Sequence, residues 1–549
     1  MSEDLSKKDQ IQKWLYRIAI FLLFPALLIN LGLIAFIDDE GIRSIVALEM
    51  KISGNYIAPT LFGEYYYNKP PLYNWILLAF FELSGVINEW SARIPTLLFL
   101  LLYASTVFYY FRKHFSTKIA FLNAFALITC GRILFWDSML GLIDICFSWV
   151  IFLMFMIIYH AFQKKEFYKL FGWAYFLTAL AFLLKGLPAL VFLGTTLLTL
   201  FIFQRQFKKL FSLPHLFGGL IFFTILSGYY LAYDQYNSLE NIFTTLFNES
   251  SKRTFVKYGW TETILHLFTF PFEMTYHFFP WSIFIIYFFT KPQNLKGVFN
   301  KGFNSKLDRW GTFQLIRKNE FLTYNLLIFF TTILVYWTSV EVYPRYLLMH
   351  APLIFSAFFF LHYENKKEQT PLFNFFDRLF FIFCIFATLA SIIPIFLPET
   401  QDFNYLYIKV LGLFLALGAL TYLYQKLKTE RLVILVLVLL VIRIGFNWFV
   451  LPNRLIIEWS TQMRESSIEV GQKFKPLYSY KSSVGLQPAN GFYLTRETGN
   501  ILESHYENFD TSAYYLIHEN FRFHVNFKQY GKFKMMNKNL YYIGKIKRD

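Results

Sequence analysis

The sequence predicts a mainly α-helical, polytopic membrane protein with about 13 transmembrane helices. It also predicts interfacial helices in a long first outer loop and a small C-terminal α/β domain. Three observations lead there. The chain has 549 residues, 56% of them hydrophobic and only 16% charged, whereas a soluble chain of this length would divide into domains with far more charged surface. Its apolar runs are about 17–22 residues long, the length a helix needs to cross a hydrocarbon core of roughly 30 Å. Most of the charges lie in short clusters between those runs, and the basic clusters fall in alternate loops.

In chain order, the runs lie at roughly 17–37, 93–111, 117–135, 143–162, 167–183, 187–204, 214–233, 275–290, 322–339, 345–363, 376–396, 406–424 and 430–450. The N-terminus, MSEDLSKKDQIQKWLYR, is basic, and the run after it is too long for a signal h-region and shows no small-residue cleavage site, so the first helix is expected to be retained. Residues 70–87 (PPLYNWILLAFFELSGVI) are apolar enough to cross as well. Charge argues against it. With the N-terminus in the cytoplasm and 70–87 lying along the interface, FRKHFSTK, QKKEFYK, RQFKK, ENKKEQ and QKLKTER all become cytoplasmic loops. Counting 70–87 as a span would put nearly all of them outside.

This topology divides the chain into a transmembrane domain, 1–451, and a soluble outer-side domain, 452–549. The first domain has two large outer loops, 38–92 and 234–274. ALEMKISGNYIAP in the first of them reads as a short amphipathic helix and then a turn. NGFYLTR, SAYYLIH and NLYYIGKI in the tail read as strand-like. The formal charge of +16 resides in the alternating loops as orientation signals, so nucleic acid is not an expected partner. Cys130, Cys146 and Cys384 lie in or beside apolar segments without metal-ligand spacing and read as small core residues.

The stretch FIDDEG (36–41) sets Asp38, Asp39 and Glu40 at the end of the first apolar run. Alone, such carboxylates read as solvated loop residues or as anions at a helix start. The residues downstream change the reading: Glu49-Met50, Ser53-Gly54-Asn55-Tyr56, Pro59, Gly63, then Lys69-Pro70-Pro71-Leu72 and Trp75, with ARIPTLL (92–98), LLKGLPA (183–189) and PRYLLMHAP (344–352) in the same order. This series resembles the bacterial polyprenyl-phosphate-sugar glycosyltransferases of the protein O-mannosyltransferase and aminoarabinose–lipid A transferase type. The resemblance covers the whole chain and is densest over 36–98.

It implies a C-type glycosyltransferase fold, a polyprenyl-phosphate sugar as donor, and transfer with inversion at the outer face of the bacterial inner membrane. The acceptor would be a glycolipid such as lipid A, a glycan or a protein. Such a reaction needs a base for the acceptor hydroxyl and cations for the departing phosphate. By the resemblance Asp39 is the base, with Asp38 and Glu40 as second choices. A second carboxylate is Asp144 or Asp137, of which Asp144 is preferred because it leads into an apolar helix. Arg132 precedes both and reads as either a partner or a plain interface anchor. Lys69, Arg253 (with Lys252 beside it) and Arg345 are the phosphate-binding candidates; Lys185, Tyr343 and Tyr346 are further neighbours. The family can place an acidic metal ligand directly before the Lys-Pro-Pro. Here that position is Asn68, so no metal or other cofactor is expected. The reading from another class, a transporter or lipid flippase, calls for charged or broken sites near the midplane in corresponding halves, and the sequence places its acids at one interface instead.

Overall fold

The computed structural model describes residues 2–251, 255–289, 315–340, 342–457, 459–481, 485–534 and 539–547. Among the described residues, ten helices are long and apolar enough to cross a membrane. An eleventh span results if Thr117–Thr129 and Gly131–Met139, bent by 44°, count as one. The remaining two of the thirteen expected runs are shorter. Run 187–204 is the 16-residue helix Pro188–Phe203. Run 275–290 is divided between the end of the helix Phe255–His277 and the 3-10 stretch Trp281–Phe289, with Pro280, which has no N–H to donate, between them.

The helix ends segregate into two faces, as the alternation requires. On one face Lys118 pairs with Glu430, Lys366 donates to the Lys428 carbonyl at 3.0 Å, and His114 meets His160 at 3.1 Å. All belong to the basic loops except His160, which lies in the last turn of the helix leading into one of them. On the opposite face the end of the helix Leu213–Asp234 meets the first outer loop: Tyr229 donates to the Ile57 carbonyl (3.1 Å) and Asn237 to the Tyr67 hydroxyl (2.7 Å).

The first outer loop is structured throughout. Helix α1 (Ser2–Leu28) leads through an irregular turn into α2 (Glu40–Ser53), which Gly54 ends in the left-handed conformation at φ 70°. Strands β1 (Thr60–Leu61) and β2 (Glu64–Tyr65) form a small hairpin. Glu49, buried on α2, anchors it by accepting from Thr60 Oγ1 (2.7 Å), Phe62 N (2.7 Å) and Gly63 N (3.2 Å). Helix α3 (Leu72–Ser84) has 13 residues, too few to span. The segment 70–87 is thus a short helix between the hairpin and α4 (Glu89–Phe111).

The C-terminal region holds a five-stranded sheet in the order β4-β3-β5-β7-β6, formed by β3 (Leu477–Tyr480), β4 (Ser504–His505), β5 (Tyr514–His518), β6 (Phe527–Lys534) and β7 (Leu540–Ile546). SAYYLIH and NLYYIGKI are strands as expected. NGFYLTR is instead part of the helix Pro488–Thr498, which starts with proline in its first turn and ends at the left-handed Gly499. That helix packs onto α2 so closely that a Cβ on Gly41 would meet Ala489 N at 2.9 Å. The sheet region therefore docks on the first outer loop.

Candidate active site

The acidic turn is built by α4. Arg93, directly after the Glu89-Trp90-Ser91-Ala92 that opens that helix, uses all five of its N–H donors. Nε and Nη2 grip the two Glu40 oxygens at 3.0 and 2.7 Å. The remaining donors reach the Leu31, Ile34 and Ala35 carbonyls at 2.8, 2.9 and 3.2 Å. Glu40 also accepts from Ile37 N at 2.8 Å and from Gly141 N at 2.9 Å. Both side chains are buried. A carboxylate offers about four lone-pair sites, and in Glu40 all are taken. Glu40, expected among the catalytic acids, ties the exit of α1, the start of α2 and the 136–142 loop into one piece.

The two aspartates before it face elsewhere. Asp38 has φ 56°, a left-handed conformation that aspartate tolerates better than most residues. Its carboxylate binds Arg345 Nη1, and Asp39 binds Arg345 Nη2 at 2.9 Å. Arg345 Nε lies 3.5 Å from Asp144 Oδ2, and Lys185 Nζ lies 2.5 Å from Asp144 Oδ1. Five of the sequence candidates from four distant stretches thus meet: Asp38, Asp39, Asp144, Lys185 and Arg345. A sixth, Tyr346, presents its ring centre 3.8 Å from Lys185 Nζ. Tyr343 lies under the Arg345 guanidinium, 4.7 Å away. Exposure separates the three acids. The side chain of Asp39 is 45% exposed and that of Asp38 31%, while that of Asp144 is 5% exposed. No hydrogen bond to the second Asp39 oxygen occurs among the described residues.

Asp137 is buried and paired with Arg132 at 3.0 Å. It lies beside the cluster, within electrostatic reach of Asp144 and Arg345. Lys69 is half-buried in the loop between β2 and α3, its Nζ donating to the Asn68 carbonyl at 3.1 Å. The run preceding it is stitched to the second large outer loop through Tyr65, which donates to the Tyr236 carbonyl at 2.9 Å, and through Tyr67. Arg253 and Lys252 lie outside the described residues. Among the described residues, no three His, Cys, Asp or Glu side chains converge as a metal site would require.

Sequence reasoning singled out the ARIPTLL stretch without giving Arg93 a task. The signal was present, because an arginine at the mouth of a span is costly unless it is fully partnered. A second group had no such signal. Tyr493 donates to Glu89 Oε1 (2.8 Å) and accepts from Phe36 N (3.0 Å), and Arg464 pairs with Glu89 at 3.0 Å. These contacts clamp the C-terminal region to the acidic turn across about four hundred residues of chain.

Comparison with known proteins fits this geometry. Residues 68–230 match the family model of dolichyl-phosphate-mannose-protein mannosyltransferases. That segment contains Lys69, Asp137, Asp144 and Lys185, whereas the Asp38–Glu40 turn and Arg345 lie outside it. An uncharacterized protein of Aquifex aeolicus is 27% identical over 241 residues, which is 43% of this chain and 47% of that protein; the match thus spans just under half of that relative's length. ArnT from Cupriavidus metallidurans, solved bound to undecaprenyl phosphate, superimposes with a TM-score of 0.66 at 15% identity, over 97% of this chain and 98% of that one. Its apo form gives 0.65 at 14%, with the same coverage. The architecture is that of a polytopic membrane protein of the C-type glycosyltransferase fold. Within that class it is similar to ArnT in architecture along nearly its whole length.

Proposed function

We propose that this chain is a membrane glycosyltransferase that moves a sugar from a polyprenyl phosphate to an acceptor hydroxyl at the outer face of the bacterial inner membrane, with inversion. The observation that carries the reading is the convergence of Asp38, Asp39 and Asp144 on Arg345 and Lys185 at one face of a membrane bundle. The fold it shares with ArnT, a protein solved with undecaprenyl phosphate, supports the donor class. The matched mannosyltransferase segment supports the reaction class. The basic loops gathered on the opposite face support a cytoplasmic N-terminus and an outer C-terminal domain.

Asp39 is the base. Arg345 fixes one of its carboxylate oxygens, and the half-open side chain leaves the other for the acceptor proton. As that proton leaves, the acceptor oxygen forms a bond to the anomeric carbon. The bond from that carbon to the phosphate oxygen breaks, and the electron pair departs with the phosphate. Lys69 and Arg253 hold the phosphate, which gains charge as it leaves. Asp144, held by Lys185, places Arg345. Glu40 and Arg93 keep the turn in shape. The domain division at about 451 belongs to the same proposal, with the sheet region acting as a cover docked on the acidic turn.

The test is a deletion strain complemented with wild type or with Asp39→Asn, and mass spectrometry of its lipids, glycans and proteins. Loss of a general base lowers rates by about 10²–10⁴-fold, so the variant should leave the sugar-bearing product absent while accumulating in the membrane at the normal level. Product restored within twofold by Asp39→Asn would exclude Asp39 as the base.

A further inference from the structure

A cavity of about 1200 Å³ lies away from the first outer loop, among the helices Pro371–Ala390, Leu406–Lys426 and Arg431–Gly445 and the bend at Gly131. One end is apolar, lined by Phe383, Leu417 and Leu439 from the middles of the three helices. Its other end carries Arg132, Trp136 and Arg454. Leu439 and Arg454 are fifteen positions apart on nearly continuous helix, so the cavity runs roughly 20 Å along the bundle. Half a hydrocarbon core is roughly 15 Å. The cavity therefore reaches from about the middle of the bilayer to the interface on the face that bears the carboxylates.

Its polar end is cationic. The guanidinium groups of Arg132 and Arg454 both lie 5.9 Å from the Trp136 ring centre, and Arg454 also lies 5.6 Å from that of Phe446. Arg132 is balanced by Asp137, but Arg454 has no carboxylate partner among the described residues. An arginine at the mouth of an apolar cleft between membrane helices is costly unless an anion meets it, and its planar fork suits a phosphate diester. Basic pockets between membrane helices on the cytoplasmic side hold acidic lipid headgroups by the same charge pairing.

We infer that this cavity holds an acidic glycerophospholipid of the surrounding bilayer, with its acyl chain against Phe383, Leu417 and Leu439 and its phosphate on Arg454. The site is separate from the donor's phosphate site at Lys69, and this separation alone rests on the proposed function. Because Arg132 is bonded to Asp137, which neighbours Asp144 and Arg345, the headgroup lies one ion pair away from the carboxylate cluster.

The test reconstitutes the full chain in nanodiscs of phosphatidylcholine containing a minor fraction of phosphatidylglycerol. Lipids retained after gentle release are counted by native mass spectrometry. Wild type should keep one phosphatidylglycerol per chain. Arg454→Gln, and Ala390→Trp, which fills the cavity from the helix Pro371–Ala390, should each lower that retention at least tenfold with unchanged melting temperature. Lys69→Gln should retain the lipid as wild type does, whatever happens to its transfer activity, so loss of the donor reading leaves this result intact. Equal retention of phosphatidylcholine, or retention unaffected by both cavity variants, would overturn the inference. So would added undecaprenyl phosphate that displaces the lipid in an Arg454-dependent, Lys69-independent manner, because the cavity would then belong to the donor.

Discussion

The ion pair between Arg93 and Glu40 lends itself to a double-mutant cycle. In Arg93→Met, Glu40 keeps only the Ile37 and Gly141 N–H groups, and three carbonyls lose their donor. In Glu40→Met, Arg93 keeps those carbonyls but loses its bonded counter-charge, leaving only the more distant Glu89. Both side chains are at most 2% exposed, so each single change strands a buried charge, at a cost of about 3–5 kcal/mol. The double variant strands neither. It should be less destabilised than the two single losses together by about 2–3 kcal/mol.

The assay is thermal unfolding in detergent monitored by intrinsic tryptophan fluorescence, with transfer activity measured on the folded fraction. Each single variant should melt lower by of the order of 5 °C, and the double should recover part of that. Additive losses would show that the pair is not a unit. A Glu40→Met protein as stable as wild type but devoid of transfer would refute the assignment of Glu40 to holding the turn, and would return it to the chemistry.

Three more expectations concern the first outer loop. Lys69→Gln should raise the donor KM tenfold or more, with a smaller effect on the KM for acceptor, in steady-state transfer assays. A reporter active only outside the cytoplasm, fused after residue 88, should be active, because α3 is too short to bring the chain back across; a cytoplasmic signal would invert the topology. Glu49 should give a pH signature. Burial, with a smaller contribution from Glu503, pushes its carboxyl from 4.5 up to about 7 against the hydrogen bonds from Thr60, Gly63 and Phe62. The folded state then holds a proton that the unfolded state has released. Stability is complete below about pH 4.5 and declines as pH rises towards 7, by up to about 3 kcal/mol. Melting temperature against pH should show this fall in wild type and a shallower one in Glu503→Gln, which removes the neighbouring like charge.

How far the sequence could be read depended on the range of the interaction. The class of fold was legible because span length and loop charge are local patterns, and the first loop was legible because its motif is contiguous. Asp144, Lys185 and Arg345 could be picked as ionisable groups at span mouths, which are costly without a partner. Their actual partners could not be read, because the Arg345 contacts with Asp38 and Asp39 join residues more than three hundred positions apart. The helix Pro488–Thr498 was missed because Phe-Tyr-Leu in a short window fits either period, and only the flanking Pro488 and Gly499 favour helix. The early end of the helix in run 187–204 and the break in run 275–290 were not legible for a related reason. Hydropathy measures how apolar a run is and is blind to a helix that ends early or gives way to 3-10 turns.

Three adjacent carboxylates beside a bilayer make physical sense once their directions are separated. Asp38 is turned aside by its left-handed backbone, and successive residues at the start of a helix point roughly 100° apart. Neighbours in sequence therefore need not share one environment. Glu40 turns inward, where Arg93 and two backbone N–H groups saturate it. Asp38 turns to Arg345 and shares that guanidinium with Asp39. Only Asp39 combines a fixed oxygen with an open one. Moving the negative charge by one position in either direction would place it in a saturated or a more shielded environment. A shift of the helix start by one residue, as by inserting a glycine between Asp39 and Glu40, should therefore abolish transfer even though all three acids remain.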